Sequence, residues 1–214
     1  MTELTARLAA GRPPRRELLR AAHRHLVAVI HPVYSLAERH PASRILREAK
    51  GSCSQRMACL EALARAYAIP TRVRALFLEG RFWAPRLPLL APFLRRRTLI
   101  PWPEFEFEEG WIGFEEIFDP LAVLADRARH GFTNRGESMF EAVEHTAVDF
   151  FGKLRQRGHP RGEEFDLSAF VDEDAGVFAS RDELLVRFDP DPPAVGRLLF
   201  NLLYGGRTIR REPD

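Results

Sequence analysis

Residues 50–78, KGSCSQRMACLEALARAYAIPTRVRALFL, predict a capped helix that is followed directly by a strand. Ser52 and Gln55 have the S-x-x-Q spacing of a capping box, in which each side chain hydrogen-bonds the backbone of the other residue. Apolar residues then recur at helical spacing until Pro70, because proline cannot continue a helix. The next residues, TRVRALFLEG, alternate apolar and charged side chains, a pattern that predicts a half-buried strand.

Cys53 lies at the start of this helix, where backbone N–H groups are unpaired and the helix dipole favours negative charge. The thiolate is the nucleophilic form of cysteine, and the same N–H groups can hold the oxyanion that forms when sulfur attacks a carbonyl. The position therefore favours a nucleophile, and the alternative is a buried structural thiol. Cys59, in the middle of the helix, is predicted to pack in the core.

Composition limits the classes of protein to consider. A chain of 214 residues with 45% hydrophobic content can bury one core, so we expect a single domain over residues 1–214. The formal net charge of +2 gives no indication of nucleic-acid binding, and the preference for arginine over lysine is typical of a GC-rich genome. Two cysteines without a CxxC or HExxH motif predict no disulfide framework, metal site or cofactor. Without an apolar signal or spanning segment, we expect a cytoplasmic protein.

The rest of the chain divides into predicted helices and one hairpin. The first fifty residues are predicted to be helical, and TLIPWPEFEFEEGWIGFEE (98–116) alternates as a hairpin that turns at Glu109-Gly110. The last ninety residues are predicted to be mainly helical, with one apolar helix face over 139–154 and a loop-rich link over 162–180. A second capping box at Ser180 and Glu183 and a helix over PAVGRLLFNLLYGG follow.

Residues 81–97, RFWAPRLPLLAPFLRRR, form an insertion rich in proline and large apolar residues. We expect Phe82, Trp83, Leu89 and Phe93 to pack against the body of the domain, because so much apolar surface is unfavourable in water. A lid over a binding site or a partner surface are the alternatives. Contact with a membrane surface through FLRRR is the weakest of them.

The segment around Cys53 resembles the nucleophile segment of the transglutaminase-like superfamily, in which Gly-x-Cys opens a helix that leads through L-x-A-L-A-R-A to G-I-P-x-R and a strand. The matching residues are Gly51, Cys53, Leu63, Ala64, Arg65, Ala66, Ile69, Pro70 and Arg72, with Ala68 in place of the usual glycine. With the hairpin, the resemblance spans about residues 42–120. It implies an α+β fold with a papain-like core, in which the nucleophile helix packs on a small antiparallel sheet, and helical additions over 1–50 and 121–214.

The hairpin is where this superfamily places a histidine, in an H-x-W-x-E strand, and an aspartate after a G-x-W turn. The chain keeps Trp102, Glu104, Gly110 and Trp111 of these patterns. The histidine position holds Ile100, and the aspartate position falls on Glu115, or on Asp119 if the turn is longer. The resemblance thus implies Cys53, Glu115 and Asp119 as catalytic candidates and Ser52, Trp102, Glu104 and Trp111 as substrate-binding candidates.

Ile100 decides how much activity the resemblance can imply. Without an imidazole, thiol attack on an amide loses a general acid–base contribution of typically ~10²–10⁴-fold. His31, His130 and His145 are the candidates for a histidine from elsewhere, and Glu104 or Glu115 could serve as a base in a modified chemistry.

Two functions therefore stay open. The first is acyl transfer or amide and ester hydrolysis through an acyl-Cys53 intermediate, with a peptide, protein or small acyl or amine substrate. The second is a catalytically inactive binding or scaffold module in which residues 81–97 carry the interaction. The side chain within hydrogen-bond reach of the Cys53 sulfur discriminates between them, since a histidine there would restore the triad.

Overall fold

The computed structural model describes residues 13–36, 38–87, 96–135, 137–188, 200 and 203–204. Helices and strands are numbered in chain order within these residues. The helices are α1 Arg15–Val29, α2 Ala42–Glu48, α3 Cys53–Ala66, α4 Leu121–Arg127, α5 Met139–Ala142, α6 Lys153–Gln156, α7 Gly162–Phe165 and α8 Arg181–Phe188. The strands are β1 His31–Pro32, β2 Lys50–Gly51, β3 Thr71–Glu79, β4 Arg97–Phe107, β5 Gly110–Gly113 and β6 Val171–Phe178. Short 3₁₀ turns cover Gly80–Trp83, Phe114–Glu116 and Ser168–Phe170.

Helix α3 begins at Cys53, and both hydrogen bonds of the predicted capping box are present. Ser52 Oγ accepts from the Gln55 backbone N–H at 3.2 Å, and Gln55 Oε1 accepts from the Ser52 backbone N–H at 2.9 Å. The helix ends at Ala66, and Ala68 takes a left-handed conformation with φ +57° before Pro70. Only glycine adopts this conformation without steric cost, which explains why glycine is usual at this position in the superfamily pattern.

The main sheet is antiparallel, with the strand order β5-β4-β3-β6. In the β3–β4 pair, Thr71 lies opposite Phe105 and Glu79 opposite Arg97. The predicted β4–β5 hairpin is confirmed, but its two-residue turn is Glu108-Glu109, one residue earlier than expected, and Gly110 pairs with Phe107. Strand β1 pairs with β2 in a separate two-stranded parallel sheet.

The predicted loop-rich link over 162–180 is wrong in part, because it contains strand β6. Residues 171–178 pair with β3, whose second edge would otherwise leave its backbone groups unpaired. The acidic side chains that suggested a loop are neutralised by arginines of the neighbouring strands. Asp174 bonds Arg74 at 2.9 Å, and Glu173 bonds Arg97 at 2.6 Å. Sequence polarity therefore indicated a loop where cross-strand ion pairs allow a strand.

The sheet is covered on both faces, so residues 75–78 of β3 are all buried, where alternation predicted a half-buried strand. On one face, Leu76, Ile100 and Trp102 join the main core, to which α3 contributes its apolar side chains. On the other face, a second cluster joins the sheet to α8 and comprises Val73, Ala75, Phe77, Leu99, Leu184 and Leu185. Mixed helices and an antiparallel sheet around this core confirm the α+β class.

The predicted helix over 139–154 is wrong. The chain instead forms α5 and α6, separated by a turn at Asp149. The buried Asp149 carboxylate accepts from the backbone N–H groups of Phe151, Lys153 and Leu154 at 2.9–3.1 Å, and Gly152 has φ +62°. These local hydrogen bonds compete with helix formation, although most of the apolar residues of the segment remain buried.

The predicted capping box at the start of α8 is present in part. Ser180 Oγ accepts from the Glu183 backbone N–H at 3.2 Å, but the Glu183 carboxylate accepts from Ala179 rather than from Ser180.

The insertion packs as expected where it is described. Phe82 is buried in the main core against the rings of Phe132, Phe150 and Phe170, and Trp83 packs beside it. Leu89 and Phe93 lie outside the described residues, as does most of the predicted helix PAVGRLLFNLLYGG. Within the described ranges, none of the helices combines the length and apolar character needed to cross a membrane.

Candidate functional site

The sulfur of Cys53 is half-buried at the N-terminus of α3, and its hydrogen-bond partner is a serine. Cys53 Sγ lies 3.1 Å from Oγ of Ser138, a buried residue that immediately precedes α5. Ser138 is not among the predicted site residues, although Ser138 and Glu141 have the S-x-x-E spacing of a helix start. In the structure Glu141 bonds an arginine, and the Ser138 hydroxyl makes no capping hydrogen bond.

That arginine, Arg56, is fully buried and orients the Ser138 hydroxyl. Its Nη1 donates to Ser138 Oγ at 3.2 Å, its Nη2 donates to Glu141 at 3.1 Å, and its guanidinium lies 4.6 Å from the Phe140 ring centre. Since a guanidinium only donates, Ser138 Oγ accepts from Arg56, and the serine hydroxyl proton remains available for donation to the sulfur. The Ser138 hydroxyl and the N–H groups of the first turn of α3 are thus the hydrogen-bonding groups at the sulfur end of the helix.

No histidine occupies the position next to the sulfur. All seven histidines lie within the described residues, and none of them is hydrogen-bonded to Cys53 Sγ. Of the three candidates, His31 is exposed on β1, His130 Nδ1 lies 2.9 Å from the Gly131 carbonyl, and His145 is exposed beside Arg24 in a surface pocket.

Ile100 and Trp102 lie on the sheet face that joins the main core with α3. Ile100 is buried opposite Leu76 of β3. Trp102 Nε1 donates to Glu115 Oε2 at 2.6 Å, and Lys153 Nζ donates to Glu115 Oε1 at 2.7 Å. Burial lowers the pKa of Lys153, but Glu115, and Glu116 with it, raise that pKa above its usual range. Both carboxylate oxygens of the buried Glu115 therefore have partners other than an imidazole.

The remaining predicted site residues lie in other surroundings. Asp119 pairs with Arg127 at 3.1 Å at the surface. Glu104 bonds Arg72 at 2.5 Å and Arg74 at 2.9 Å, while Trp111 is partly exposed 4.2 Å from the Arg72 guanidinium. Ser52 caps α3. The structure thus brings Trp102 and Glu115 into direct contact. Glu104 and Trp111 form a separate group, in which both contact Arg72.

The family model described as the transglutaminase-like superfamily matches residues 2–116. This chain belongs to the transglutaminase-like superfamily. No curated protein and no solved structure gives a significant match. The family match extends further towards the N-terminus than the predicted span of 42–120 and ends with Glu116. Ser138 and Lys153, which bond Cys53 and Glu115, lie beyond it.

In this transglutaminase-like domain, Tyr34 and Arg86 are two more polar side chains linked to the residues around the sulfur. Burial raises the pKa of Tyr34 above its usual value. The positive charge of Arg86 opposes this rise, and Tyr204 and Cys53 add to it. Arg86, Tyr204 and Cys53 therefore lie within electrostatic range of the Tyr34 phenol. Arg86 is 7% exposed, and its Nη2 donates to the carbonyl oxygen of Glu137, the residue before Ser138. We call Cys53, Ser138, Arg56, Tyr34 and Arg86 the Cys53 site.

The second cysteine is buried, whereas the first is half-buried. Cys59 is fully buried, its thiol donates to the Ala42 carbonyl at 3.7 Å, and burial raises its pKa to about 12. It packs in the core, as predicted. Among the described residues, no group of three or more histidine, cysteine, aspartate or glutamate side chains is arranged to hold a metal ion.

Proposed function

We propose that this protein is a non-catalytic binding module with the papain-like core of the transglutaminase-like superfamily, and that its Cys53 site holds a ligand without turning over amides. The observation that carries the proposal is the identity of the group next to the sulfur. Ser138 Oγ lies 3.1 Å from Cys53 Sγ, where an amide-cleaving thiol needs a base.

Amide chemistry requires a group that takes the thiol proton and then delivers a proton to the leaving amine. An imidazole does both near neutral pH, whereas a serine hydroxyl does not titrate there. The loss of this general acid–base step lowers the rate by typically ~10²–10⁴-fold. A carboxylate cannot readily replace it here, because the Glu115 oxygens accept from Trp102 and Lys153.

A second function, acyl transfer from activated donors, is favoured by the hydrogen-bond donors around the sulfur. After the thiol proton has passed to solvent, attack of the Cys53 thiolate on a thioester or aryl ester forms the bond from Sγ to the acyl carbon, and the leaving thiolate or phenolate departs with its electron pair. That departure needs no proton from the protein. Transfer of the acyl group from Cys53 to an amine or to water completes the reaction, and it is slow without a base.

The test compares the natural protein with Cys53→Ala and, as a matched control, Cys59→Ala. Each is incubated with a panel of amides and activated esters, and both product formation and intact protein mass are followed. We expect amide turnover no faster than that of Cys53→Ala. Sustained turnover that disappears in Cys53→Ala but not in Cys59→Ala would overturn the binding module. A persistent acyl adduct on Cys53 would support the first step of acyl transfer, and its absence would exclude the second function.

A further inference from the structure

Among the described residues, Arg86 is a buried arginine that has no carboxylate partner and contacts the residue before Ser138. Arg86 is 7% exposed, and its hydrogen bond within the described residues goes to a neutral acceptor, the Glu137 carbonyl. The two other buried arginines are paired with carboxylates: Arg56 with Glu141 at 3.1 Å and Arg181 with Glu61 at 2.6 Å. Burial of a charge is costly unless an opposite charge compensates it, so an anion is the expected partner of Arg86.

Two buried donors in the same turn also lack acceptors. Arg86 Nε and Trp83 Nε1 are both inaccessible to solvent and make no hydrogen bond. The backbone N–H of Arg86 donates to the Trp83 carbonyl at 3.0 Å, so the two residues are one 3₁₀ turn apart. Side chains three residues apart in such a turn project from the same side. An indole N–H and a guanidinium N–H on one side of the turn therefore both lack a hydrogen-bond acceptor. A buried donor without an acceptor is energetically unfavourable.

Two observations connect Arg86 to the sulfur. The carbonyl that accepts from Arg86 belongs to the residue before Ser138, whose hydroxyl contacts Sγ. Tyr34 lies within electrostatic range of both Arg86 and Cys53. The Arg86 guanidinium is thus linked to the thiol through the Glu137–Ser138 segment.

We propose that the Cys53 site takes a ligand with a carboxylate group, that Arg86 is the residue that binds this group, and that Trp83 Nε1 is a second donor to it. The proposal rests on the proposed function, because it treats the Cys53 site as a ligand site. A carboxylate fits better than a phosphate dianion, since one uncompensated guanidinium offers one positive charge and two N–H donors match two oxygens. The rest of the ligand lies towards Cys53.

The test uses two alkylating agents of similar size, iodoacetate and iodoacetamide, which differ by a carboxylate. The rate constant for iodoacetate is divided by that for iodoacetamide, and both are measured at Cys53 by peptide mass spectrometry. This ratio is compared with the same ratio for an uncharged reference compound, a cysteine amide with a blocked amino group. A neighbouring cation should make the ratio at Cys53 about threefold or more higher than the ratio for the reference amide. Salt at about 0.5 M should bring the two ratios closer together, because it screens the charge. Arg86→Gln should lower the ratio by about the same factor, Arg86→Lys should keep most of it, and Arg157→Gln, at an exposed arginine, should leave it unchanged.

Ligand binding is tested by protection of Cys53 from iodoacetamide. Succinate should slow alkylation of the natural protein, and its neutral analogue succinamide should not. Trp83→Phe, which removes one donor and keeps an aromatic ring, should weaken this protection, and it serves as the second variant if circular dichroism shows that Arg86→Gln does not fold.

Equal alkylation ratios at Cys53 and the reference amide, or equal protection by succinate and succinamide, would overturn the proposal. An unchanged ratio in folded Arg86→Gln would also overturn it. A failure of the proposed function would give a different result, namely amide turnover that depends on Cys53. Such turnover is measured separately and does not alter the alkylation ratio, so the two failures can be distinguished.

Discussion

Ser138 Oγ and Cys53 Sγ lie 3.1 Å apart although 85 positions separate the two residues in the chain. The contact joins the start of α5 to the start of α3. Arg56 of α3 donates from Nη1 to the same serine oxygen at 3.2 Å. The thiol thus contacts a hydroxyl group supplied by a segment that lies outside the family match.

The first prediction concerns thiol reactivity. Near neutral pH, Cys53 should be alkylated by iodoacetamide while Cys59 stays unlabelled, because Cys59 is fully buried and burial raises its pKa to about 12. Ser138→Ala should slow labelling of Cys53 severalfold by removing a donor to the sulfur. Ser54→Ala is the matched control, since the Ser54 hydroxyl bonds Glu38 and Arg181 rather than the sulfur. Equal labelling of both cysteines, or earlier labelling of Cys59, would contradict the prediction.

The second prediction concerns the buried carboxylate of Glu115. Lys153→Met should lower the free energy of unfolding by about 3 kcal/mol, because Glu115 would keep its charge in the interior without the ammonium group. Glu115→Gln in the same chain should restore part of that loss. Arg44→Met, which breaks the exposed pair of Arg44 with Glu48, is the control and should cost less than about 0.5 kcal/mol. Urea unfolding measures all of these, and similar losses for Lys153→Met and Arg44→Met would refute the argument.

The third prediction concerns pH. His23 is buried, stacks 4.4 Å from the Phe140 ring centre and bonds the Phe140 carbonyl through Nε2 at 2.5 Å, and burial lowers its pKa from 6.5 to about 4. Below the unfolded pKa, the unfolded chain binds a proton that the folded chain does not bind until about pH 4. The stability contributed by the neutral histidine is therefore present above pH 6.5 and decreases as pH falls to about 4, by about 3 kcal/mol in total.

His23→Gln isolates this effect, because an amide can still donate to the Phe140 carbonyl but does not titrate. Its free energy of unfolding should fall less between about pH 7 and 4 than that of the natural protein. His145→Gln, at an exposed position, should follow the natural protein throughout. Parallel pH profiles for the natural protein and His23→Gln would show that His23 is not the group responsible.

The fourth prediction concerns the departure from the superfamily pattern at Ala68. Ala68→Gly should raise the free energy of unfolding by about 1 kcal/mol, because φ +57° is strained for alanine and free for glycine. Ala66→Gly, two residues earlier at the end of α3, should instead destabilise by about 0.5–1 kcal/mol. Thermal or urea unfolding compares the two, and a loss of stability in both variants would contradict the argument.

The elements that could be predicted from the sequence are those set by local chemistry. The capping box at Ser52 and Gln55 and the stop at Pro70 determine α3, and alternation determines β3 and the hairpin. Strand β6 and the break at Asp149 were missed because tertiary contacts determine them. Cross-strand arginines neutralise the acidic residues of β6, and the Asp149 carboxylate binds backbone groups that a helix would have used.

The site divides in the same way. The position of Cys53 at a helix start follows from adjacent residues, so the sequence predicts it. Ser138, Arg56 and Lys153 meet their partners only through long-range folding, and no spacing in the chain indicates that a serine lies at the sulfur or that an ammonium group holds Glu115.

The last prediction concerns Ile100. This side chain is 6% exposed and shares its sheet face with Trp102, the face that joins the main core with α3. Ile100→His should place an imidazole on that face and raise Cys53-dependent hydrolysis of aryl esters by ~10²-fold, the lower end of a general-base contribution. Amides should remain slow, because the Glu115 carboxylate that would orient the ring is bonded to Trp102 and Lys153. The variant should also lose stability by about 1–3 kcal/mol, since it buries a polar ring in the core.

Ile100→Asn is the matched variant, because it introduces a polar side chain that cannot take up a proton near neutral pH. Rates of aryl ester hydrolysis are compared for the natural protein, both variants and Ile100→His/Cys53→Ala. A gain that is specific to histidine and lost without Cys53 would mean that an imidazole at residue 100 reaches the sulfur and that its absence limits the natural chain. If Ile100→His and Ile100→Asn hydrolyse esters equally slowly while both remain folded, residue 100 does not address the thiol, and the missing base cannot be assigned to this position.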